Sequence, residues 1–311
     1  MVYSVVNSPK FSWRFLLPQY WLLWLGLALM YLISWLPYRV LMWLGSKLGR
    51  LLFKLLKSRQ KVARRNLELC FPEQSAAERE VLLWQNAEET GKAMFETIMG
   101  WWWPDWRMRK LAHFKGYEHI QEALAAGKGV LLLSGHFLHL EAACRIFGFT
   151  HPSVGFYRPN NNPLLDYWQY HGRSRSNKYM IGKRDVKGLI EALNQQEVCF
   201  YLPDQDYGRN RAEFVPFFAV EETATTTGTL LFAKAANCVV IPLYSYRLPD
   251  YQGYQIEILP AFTAFPSGDD KADVTRVNQW VEQAVLKHPE QYMWLHRRFK
   301  TRPDAKAASL Y

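Results

Sequence analysis

The sequence predicts an α/β fold, in which helices flank a mixed, largely parallel sheet. From residue 129 onward, short apolar runs typical of buried strands alternate with helical segments. No internal repeat, low-complexity tract or long linker divides this region. The 311 residues are enough to bury a sizeable core, and 49% of them are hydrophobic, which excludes a disordered protein.

The beginning of the chain predicts attachment to a membrane. No charged residue lies between Arg14 and Arg39, and the aromatic-rich run from Tyr20 to Tyr38 is long enough to cross a bilayer as a helix, which takes about 20 residues. No small-residue cleavage site follows it, so a signal peptide is not favoured. We predict a membrane anchor helix in residues 1–38 and a single α/β domain in residues 39–311. Spanning the bilayer and lying in its interface both remain open.

The positive charge of the chain is concentrated near its beginning. The net charge is +10, and residues 1–65 contain 11 Lys or Arg and no Asp or Glu. Basic residues beside a membrane segment stay in the cytoplasm, so we expect the bulk of the chain on that side. The segment 39–65 suits anionic lipid headgroups or an acidic partner. The four scattered cysteines form no CxxC pair, which favours reduced thiols.

The remaining elements are predicted from hydrophobic periodicity and turn residues. The motif GWWWPDW, residues 100–106, is expected to break the first of the helices. In a parallel sheet, functional side chains gather where strands end. Helices are predicted over 74–100, 139–149, 162–177, 186–196, 226–238 and 274–289, and strands over 129–134, 198–203, 239–247 and 254–259.

A histidine and a glutamate stand in the apolar segment GVLLLSGHFLHLE. His136 follows a predicted strand, and Glu141 falls in the first turn of the next helix. In that arrangement the carboxylate can hydrogen-bond one ring nitrogen and leave the other as a general base for a hydroxyl. Apolar flanks suit an acyl chain. The alternatives are a core histidine beside a surface glutamate, and a metal site that adds His139. The metal site is disfavoured, because the spacing is not HExxH and no cysteine ligand is near.

Longer motifs indicate which protein family the chain resembles. GHFLHLE is similar to the H-x4-D/E signature of the glycerolipid acyltransferase superfamily. From about residue 10 to the end, the chain resembles the late lipid A acyltransferases of Gram-negative bacteria, of the lauroyl- and palmitoleoyl-transferring kind. The GxxFIxR and EGTR blocks of the wider superfamily are not found, so their phosphate-binding roles are not carried over. The resemblance lies in RRNLELCFPE (64–73), YRPNNNPLLDYW (157–168), GRSRSNK (172–178), PDQDYG (203–208), FVPFFAVEETATTTGT (214–229) and PEQYMWLHRRFKTRP (289–303).

The resemblance implies a reaction. A fatty acyl group would pass from acyl-acyl carrier protein to a hydroxyl of an acyl chain on di-Kdo-lipid IVA, at the cytoplasmic face of the inner membrane, without metal or organic cofactor. Lauroyl is the expected group, with palmitoleoyl and myristoyl as alternatives. The catalytic residues implied are the dyad His136 and Glu141, together with Arg173 and Asp204.

The residues themselves agree with these implied roles. Asp204 follows a predicted strand, as His136 does, so both could line the opening of one cleft. The alternative for Asp204 is a structural role as a helix N-cap. A cation such as Arg173 can stabilise the negative charge that develops in acyl transfer. Structural ion pairs are the competing interpretation for each arginine. Further substrate-binding residues are expected at Arg158, Arg175, Asp206, Arg297 and Arg298.

The absence of a GxSxG elbow or an activated cysteine favours direct transfer without an acyl-enzyme. Two other functions remain open. One is a non-catalytic lipid-binding protein of the same fold, and the other is a hydrolase of acyl thioesters.

Overall fold

The computed structural model describes residues 5–311. These residues form a central sheet covered by helices on both faces, which confirms the predicted α/β class. The helices are α1 (Trp21–Ser34), α2 (Tyr38–Leu55), α3 (Lys57–Cys70), α4 (Ala76–Trp102), α5 (Asp105–Arg109), α6 (Glu118–Ala125), α7 (Leu140–Phe147), α8 (Pro163–Ser174), α9 (Val186–Asn194), α10 (Gly228–Ala235) and α11 (Asp270–Lys287). The strands are β1 (Ala112–Lys115), β2 (Gly129–Leu133), β3 (Ser153–Tyr157), β4 (Asn177–Gly182), β5 (Val198–Tyr201), β6 (Ala212–Phe217), β7 (Val220–Thr226), β8 (Cys238–Arg247) and β9 (Tyr254–Ile258).

The main sheet has seven strands in the order β1-β9-β8-β2-β5-β3-β4. Neighbouring strands are parallel except for the antiparallel pair β8 and β9. Strands β6 and β7 form a separate antiparallel hairpin. The predicted largely parallel sheet is therefore confirmed, and the carboxyl ends of β2, β5, β3 and β4 meet along one edge.

Strand β2 shows why the sheet is covered on both sides. All five of its residues are buried. Leu131 and Leu133 belong to the apolar cluster on one face, whereas Val130 and Leu132 belong to the cluster on the other. Successive side chains of a strand point to opposite faces, so a continuous apolar run needs helices on both.

Helices α2 and α4 touch backbone to backbone. A Cβ atom added at Gly49 would lie 2.0 Å from the carbonyl oxygen of Ala87, and one added at Gly91 would lie 2.0 Å from the carbonyl oxygen of Gly45. No side chain fits in that space, so glycine is required for this approach. The contact attaches the basic helix α2 directly to the longest helix of the domain.

The N-terminal segment differs from the prediction. The apolar run from Tyr20 to Tyr38 is not one helix, because α1 ends at Ser34 and Pro37 precedes the start of α2. With 14 residues at about 1.5 Å each, α1 is roughly 21 Å long, against about 30 Å for the hydrocarbon core of a bilayer. Within residues 5–311, no helix combines the length and apolar character needed to cross a membrane.

Several helices and strands of the structure were not predicted from the sequence. Strands β1, β3, β4, β6 and β7 and helix α6 were not predicted, because these segments are short or mix polar with apolar residues. The motif GWWWPDW does end its helix, two residues later than the predicted bound at residue 100. Helix α4 continues through Trp102 and ends before Pro104, which disfavours helical backbone at Trp103.

Candidate active site

His136 and Asp204 occupy equivalent places on neighbouring strands. Leu133, the last residue of β2, pairs in register with Tyr201, the last residue of β5. Each functional residue comes three positions after its strand end. The parallel register therefore brings the two side chains together, as predicted from their shared position after a strand.

Two hydrogen bonds join these residues. The His136 Nδ1 atom lies 2.6 Å from Asp204 Oδ1, and the backbone N–H of His136 donates to Asp204 Oδ2 at 2.8 Å. The Asp204 side chain is fully buried. Burial would raise the pKa of this carboxyl, but the charge and hydrogen bonds of His136 and a hydrogen bond from Tyr292 outweigh it and lower the pKa to about 2. The ionised Asp204 accepts a hydrogen bond from the Nδ1–H of His136. The other ring nitrogen, Nε2, is then the basic nitrogen.

The predicted partner of His136 is not the one that the structure shows. Glu141 is paired with Arg173, whose Nε donates to the two carboxylate oxygens at 3.0 and 3.3 Å and whose Nη2 makes a further, short bond. Glu141 lies in the first turn of α7, as predicted, but its carboxylate contacts α8. Asp204 takes the place expected for Glu141. It is not a helix N-cap, because the element that follows it is strand β6.

The pair of Glu141 and Arg173 borders an apolar cavity of about 130 Å³. The cavity lies between the end of α4, helices α7 and α8, and strands β3 to β5. Its other lining residues are mostly apolar or small, among them Trp101, Leu140, Cys144, Phe156, Met180, Phe200 and Leu202. It is an apolar recess whose wall also contains the ion pair of Glu141 and Arg173 and the side chain of Arg145.

Cys144 lies in this wall but is not an activated nucleophile. Burial and the neighbouring Glu141 raise the pKa of its thiol to about 12. The thiol therefore stays protonated near neutral pH, and the reactive form of cysteine is the thiolate. The site offers no cysteine suited to carry an acyl group.

His139 is a core residue rather than a metal ligand. It is fully buried, its Nε2 lies 2.9 Å from Ser245 Oγ, and burial lowers the pKa of its imidazole to about 4. His136, His139 and Glu141 each have a different partner. Across residues 5–311, no group of three or more His, Cys, Asp or Glu side chains is arranged to hold a metal ion.

Arg158 and Arg175, two of the predicted substrate-binding arginines, have different environments. Arg158 is exposed and lines a polar pocket of about 350 Å³ with Asn160, Asn161 and Arg173. Arg175 instead donates to the carbonyl of Trp101 at 2.7 Å and to the Asp105 carboxylate at 3.2 Å. Arg158 remains available to a ligand, whereas Arg175 makes the structural contacts that were the alternative.

The three remaining predicted binding residues lie near the C-terminal segment. The Asp206 carboxylate accepts hydrogen bonds from Thr301 and from the backbone of Gly208. Arg298 is buried and donates to the carbonyl of Ala224 at 2.6 Å and to Thr225 Oγ1 at 2.8 Å. Asp206 thus joins the segment after β5 to Thr301, and Arg298 is bonded to strand β7. Both side chains make contacts within the protein, and their predicted contact with substrate stays a prediction. The third residue, Arg297, is exposed, and its guanidinium lies 5.7 Å from the ring centre of Tyr311.

Tyr292 was missed by sequence reasoning. Its hydroxyl donates to Asp204 Oδ2 at 2.8 Å, and the residue is buried. The only signal for it was its position inside the motif PEQYMWLHRRFKTRP, which gave no role to any single residue. The distance along the chain from Asp204 hides the contact.

Comparison with known proteins decides between the functions left open. The family model for the bacterial lipid A biosynthesis acyltransferases matches residues 8–301. The chain belongs to this family. It is 47% identical over 300 residues to the lipid A biosynthesis lauroyltransferase of Escherichia coli K12, covering 96% of this chain and 98% of that protein.

Two further relatives agree. The lipid A biosynthesis palmitoleoyltransferase of Escherichia coli K12 is 42% identical, covering 97% of this chain and 98% of that protein. A lipid A biosynthesis acyltransferase of Haemophilus influenzae is 46% identical with the same coverage of both chains. The resemblance inferred from the sequence motifs is thus confirmed, and this family member is an acyltransferase of lipid A biosynthesis.

Proposed function

We propose that this acyltransferase moves a lauroyl group from acyl-acyl carrier protein to a hydroxyl of an acyl chain on di-Kdo-lipid IVA. The lauroyl group is the first choice because the lauroyltransferase relative is 47% identical and the palmitoleoyltransferase relative 42%. A palmitoleoyl or myristoyl donor is the alternative. The observation that carries the proposal is the buried pair of His136 and Asp204 at the edge of the sheet.

In this mechanism His136 is the general base. Asp204 holds Nδ1, so Nε2 is free to take the proton from the acceptor hydroxyl as its oxygen attacks the thioester carbonyl. The thioester C–S bond then breaks, and the proton passes to the leaving thiolate. The carboxylate that supports His136 is therefore Asp204 rather than Glu141.

Arg173 and the cavity supply the other requirements. The guanidinium of Arg173, held by Glu141 in the cavity wall, can stabilise the negative charge that develops on the thioester oxygen. The apolar lining suits the hydrocarbon of the acyl chain. Since the Cys144 thiol stays protonated, the transfer is direct and passes through no acyl-cysteine. Arg158, exposed beside the polar pocket, is the proposed contact for acidic groups of the acceptor.

We further propose that the N-terminal segment attaches the enzyme to the cytoplasmic face of the bacterial inner membrane. Helix α1 presents an apolar surface outward, because Leu22 is 81% exposed and Leu25 is 67% exposed, and Trp13, upstream of the helix, is 80% exposed. Lys54, Lys57, Arg59 and Lys61 are exposed on α2 and α3. An apolar surface beside a basic one suits a bilayer with anionic headgroups.

The test is an acyl-transfer assay with purified protein in detergent. Lauroyl-, myristoyl-, palmitoyl- and palmitoleoyl-carrier protein are each offered with di-Kdo-lipid IVA, and products are weighed by mass spectrometry. We expect a mass increase of one acyl chain, greatest with the lauroyl donor, that is abolished in His136→Ala.

The same assay without the acceptor detects hydrolysis. Free fatty acid with no acylated lipid would identify a thioester hydrolase. Undiminished transfer by His136→Ala would contradict the proposed mechanism, and no transfer with any donor would favour the lipid-binding alternative.

A further inference from the structure

The loop that carries His136 is held by a segment far away in the chain. The backbone N–H of Met293 donates to the His136 carbonyl at 3.1 Å, and the N–H of Leu138 donates to the Gln291 carbonyl at 2.9 Å. Phe137 and Tyr292 form an isolated antiparallel bridge between these two bonds. The segment from Gln291 to Met293, which we name the clamp, therefore fixes the backbone that directly follows the histidine, on both sides of Phe137.

The clamp also reaches the Asp204 carboxylate. Tyr292 donates its hydroxyl to Oδ2 at 2.8 Å, and the same oxygen accepts the backbone N–H of His136. Oδ1 faces Nδ1 of the imidazole. Three hydrogen bonds thus define one orientation of the carboxyl plane. Tyr292 and Asp204 are 4% and 2% exposed, so bulk water does not reach them to replace a lost donor.

The position of the tyrosine hydroxyl is itself fixed. The ring of Tyr292 packs edge-on against Trp294 at 4.9 Å and Phe137 at 6.0 Å between centroids. The side-chain amide of Asn86, on α4, donates to the carbonyl of Tyr292 at 2.7 Å. The amide of Asn66, on α3, donates to the carbonyl of Trp294 at 2.6 Å. Helix α4 therefore holds the clamp, and helix α3 holds the residue that follows it, by buried hydrogen bonds.

We propose that Tyr292 is a positioning residue of the acyl transfer. Its hydroxyl orients Asp204, and Asp204 in turn orients the imidazole of His136, while Tyr292 itself touches no reacting atom. This role rests on the proposed function of His136 as the base. It adds a third member to the pair and connects that pair to the C-terminal part of the chain.

The substitution Tyr292→Phe tests the role because it removes the hydroxyl and keeps the ring. We expect kcat to fall about tenfold to a hundredfold, the effect of losing a buried hydrogen bond to a charged group, with KM for donor and acceptor changed less than about twofold. In an Asp204→Asn background the same substitution should have no further effect, because the hydroxyl acts only through that carboxylate.

Tyr244→Phe is the matched control. That hydroxyl also donates to a carboxylate, that of Glu257, but on the strand pair β8 and β9. We expect it to keep the kcat of the unaltered enzyme.

A spectroscopic measurement separates this proposal from the proposed function. In the unaltered protein we expect a water-protected Nδ1 proton of His136 in nitrogen-edited NMR spectra, broadened in Tyr292→Phe and absent in Asp204→Asn. This readout requires no acyl transfer, so it decides the role of Tyr292 even if the assay shows no activity.

Two results would overturn the proposal. One is an unchanged kcat together with an unchanged proton signal in Tyr292→Phe. The other is an equal loss of kcat in the presence and absence of the Asp204 carboxylate, which would indicate a general structural effect.

Discussion

The two hydrogen-bonded pairs of the site differ in their burial. His136 and Asp204 form a buried pair in which the carboxylate has no exposed surface and the imidazole only 18%. Glu141 and Arg173 form an open pair, with 24% and 32% of their side chains exposed at the wall of an apolar cavity. A buried pair cannot rearrange without losing hydrogen bonds that water does not replace, whereas an open pair can exchange partners with a ligand.

This difference suggests a division of labour. In the proposed mechanism, the buried pair sets the direction of the base, and the open pair presents a cation to the developing negative charge. If Glu141 and Asp204 both supported His136, substitutions of the two carboxylates would have similar effects. Here each carboxylate has its own cationic or titratable partner, so substitutions should separate their effects.

The largest effect is expected for Asp204→Asn. An amide can present its N–H₂ group to Nδ1 and stabilise the wrong tautomer of His136, while the size of the side chain is kept. We expect kcat to fall by about 10³ to 10⁴ with little change in KM. Steady-state kinetics at saturating donor measure this. A loss no greater than that of Glu141→Gln would remove the distinction between the two pairs.

A smaller effect is expected for Glu141→Gln. The neutral amide leaves Arg173 charged but no longer held by a bidentate partner, so we expect kcat to fall about tenfold to a hundredfold. The matched control is Glu88→Gln, which breaks the exposed pair of Arg50 and Glu88, 2.7 Å apart, and should leave kcat unchanged. A loss as large as that of Asp204→Asn would mean that Glu141 acts on His136 during the reaction.

The smallest effect is one of stability in acid. The folded pKa of Asp204, about 2, lies below its ordinary value of 3.8, so the unfolded chain binds more protons between these values. The resulting contribution, about 2 kcal/mol, is complete above about pH 4 and is lost as pH falls towards 2.

Urea unfolding of the enzyme and of Asp204→Asn at pH 5 and pH 3 measures this contribution. The difference in unfolding free energy between the two proteins should shrink at the lower pH. A constant difference would show that the carboxylate gains nothing from its buried partners.

The sequence predicted the sheet and the meeting of His136 with Asp204 because both depend on local order. A polar residue just after the end of a strand lies at the carboxyl edge of the sheet. The parallel register of β2 and β5 then brings the two polar residues together. It did not predict which carboxylate bonds the imidazole. Spacing along the chain placed Glu141 in the correct helical turn, but the direction of its side chain depends on Arg173 from another helix.

Tyr292 and the N-terminal helix show two further limits. The contact of Tyr292 with Asp204 joins residues 88 positions apart, and no periodicity records such a distance. The apolar run at the N-terminus has the composition of a spanning helix, yet Pro37 divides it and α1 ends at Ser34. Hydropathy alone therefore overestimated the length of that helix.

Helix α4 touches both halves of the site. Near its middle, Asn86 holds the carbonyl of Tyr292, and close to its end, a Cβ at Gly100 would lie 3.5 Å from the backbone oxygen of Glu141. These two positions are 14 residues apart on the helix, which is a rise of about 21 Å along its axis. One continuous helix thus contacts both the segment that orients Asp204 and a residue in the wall of the apolar cavity. A substitution at Trp101, in the last turn, changes the wall of the cavity, whereas the bond from Asn86 to Tyr292, about four turns away, is kept.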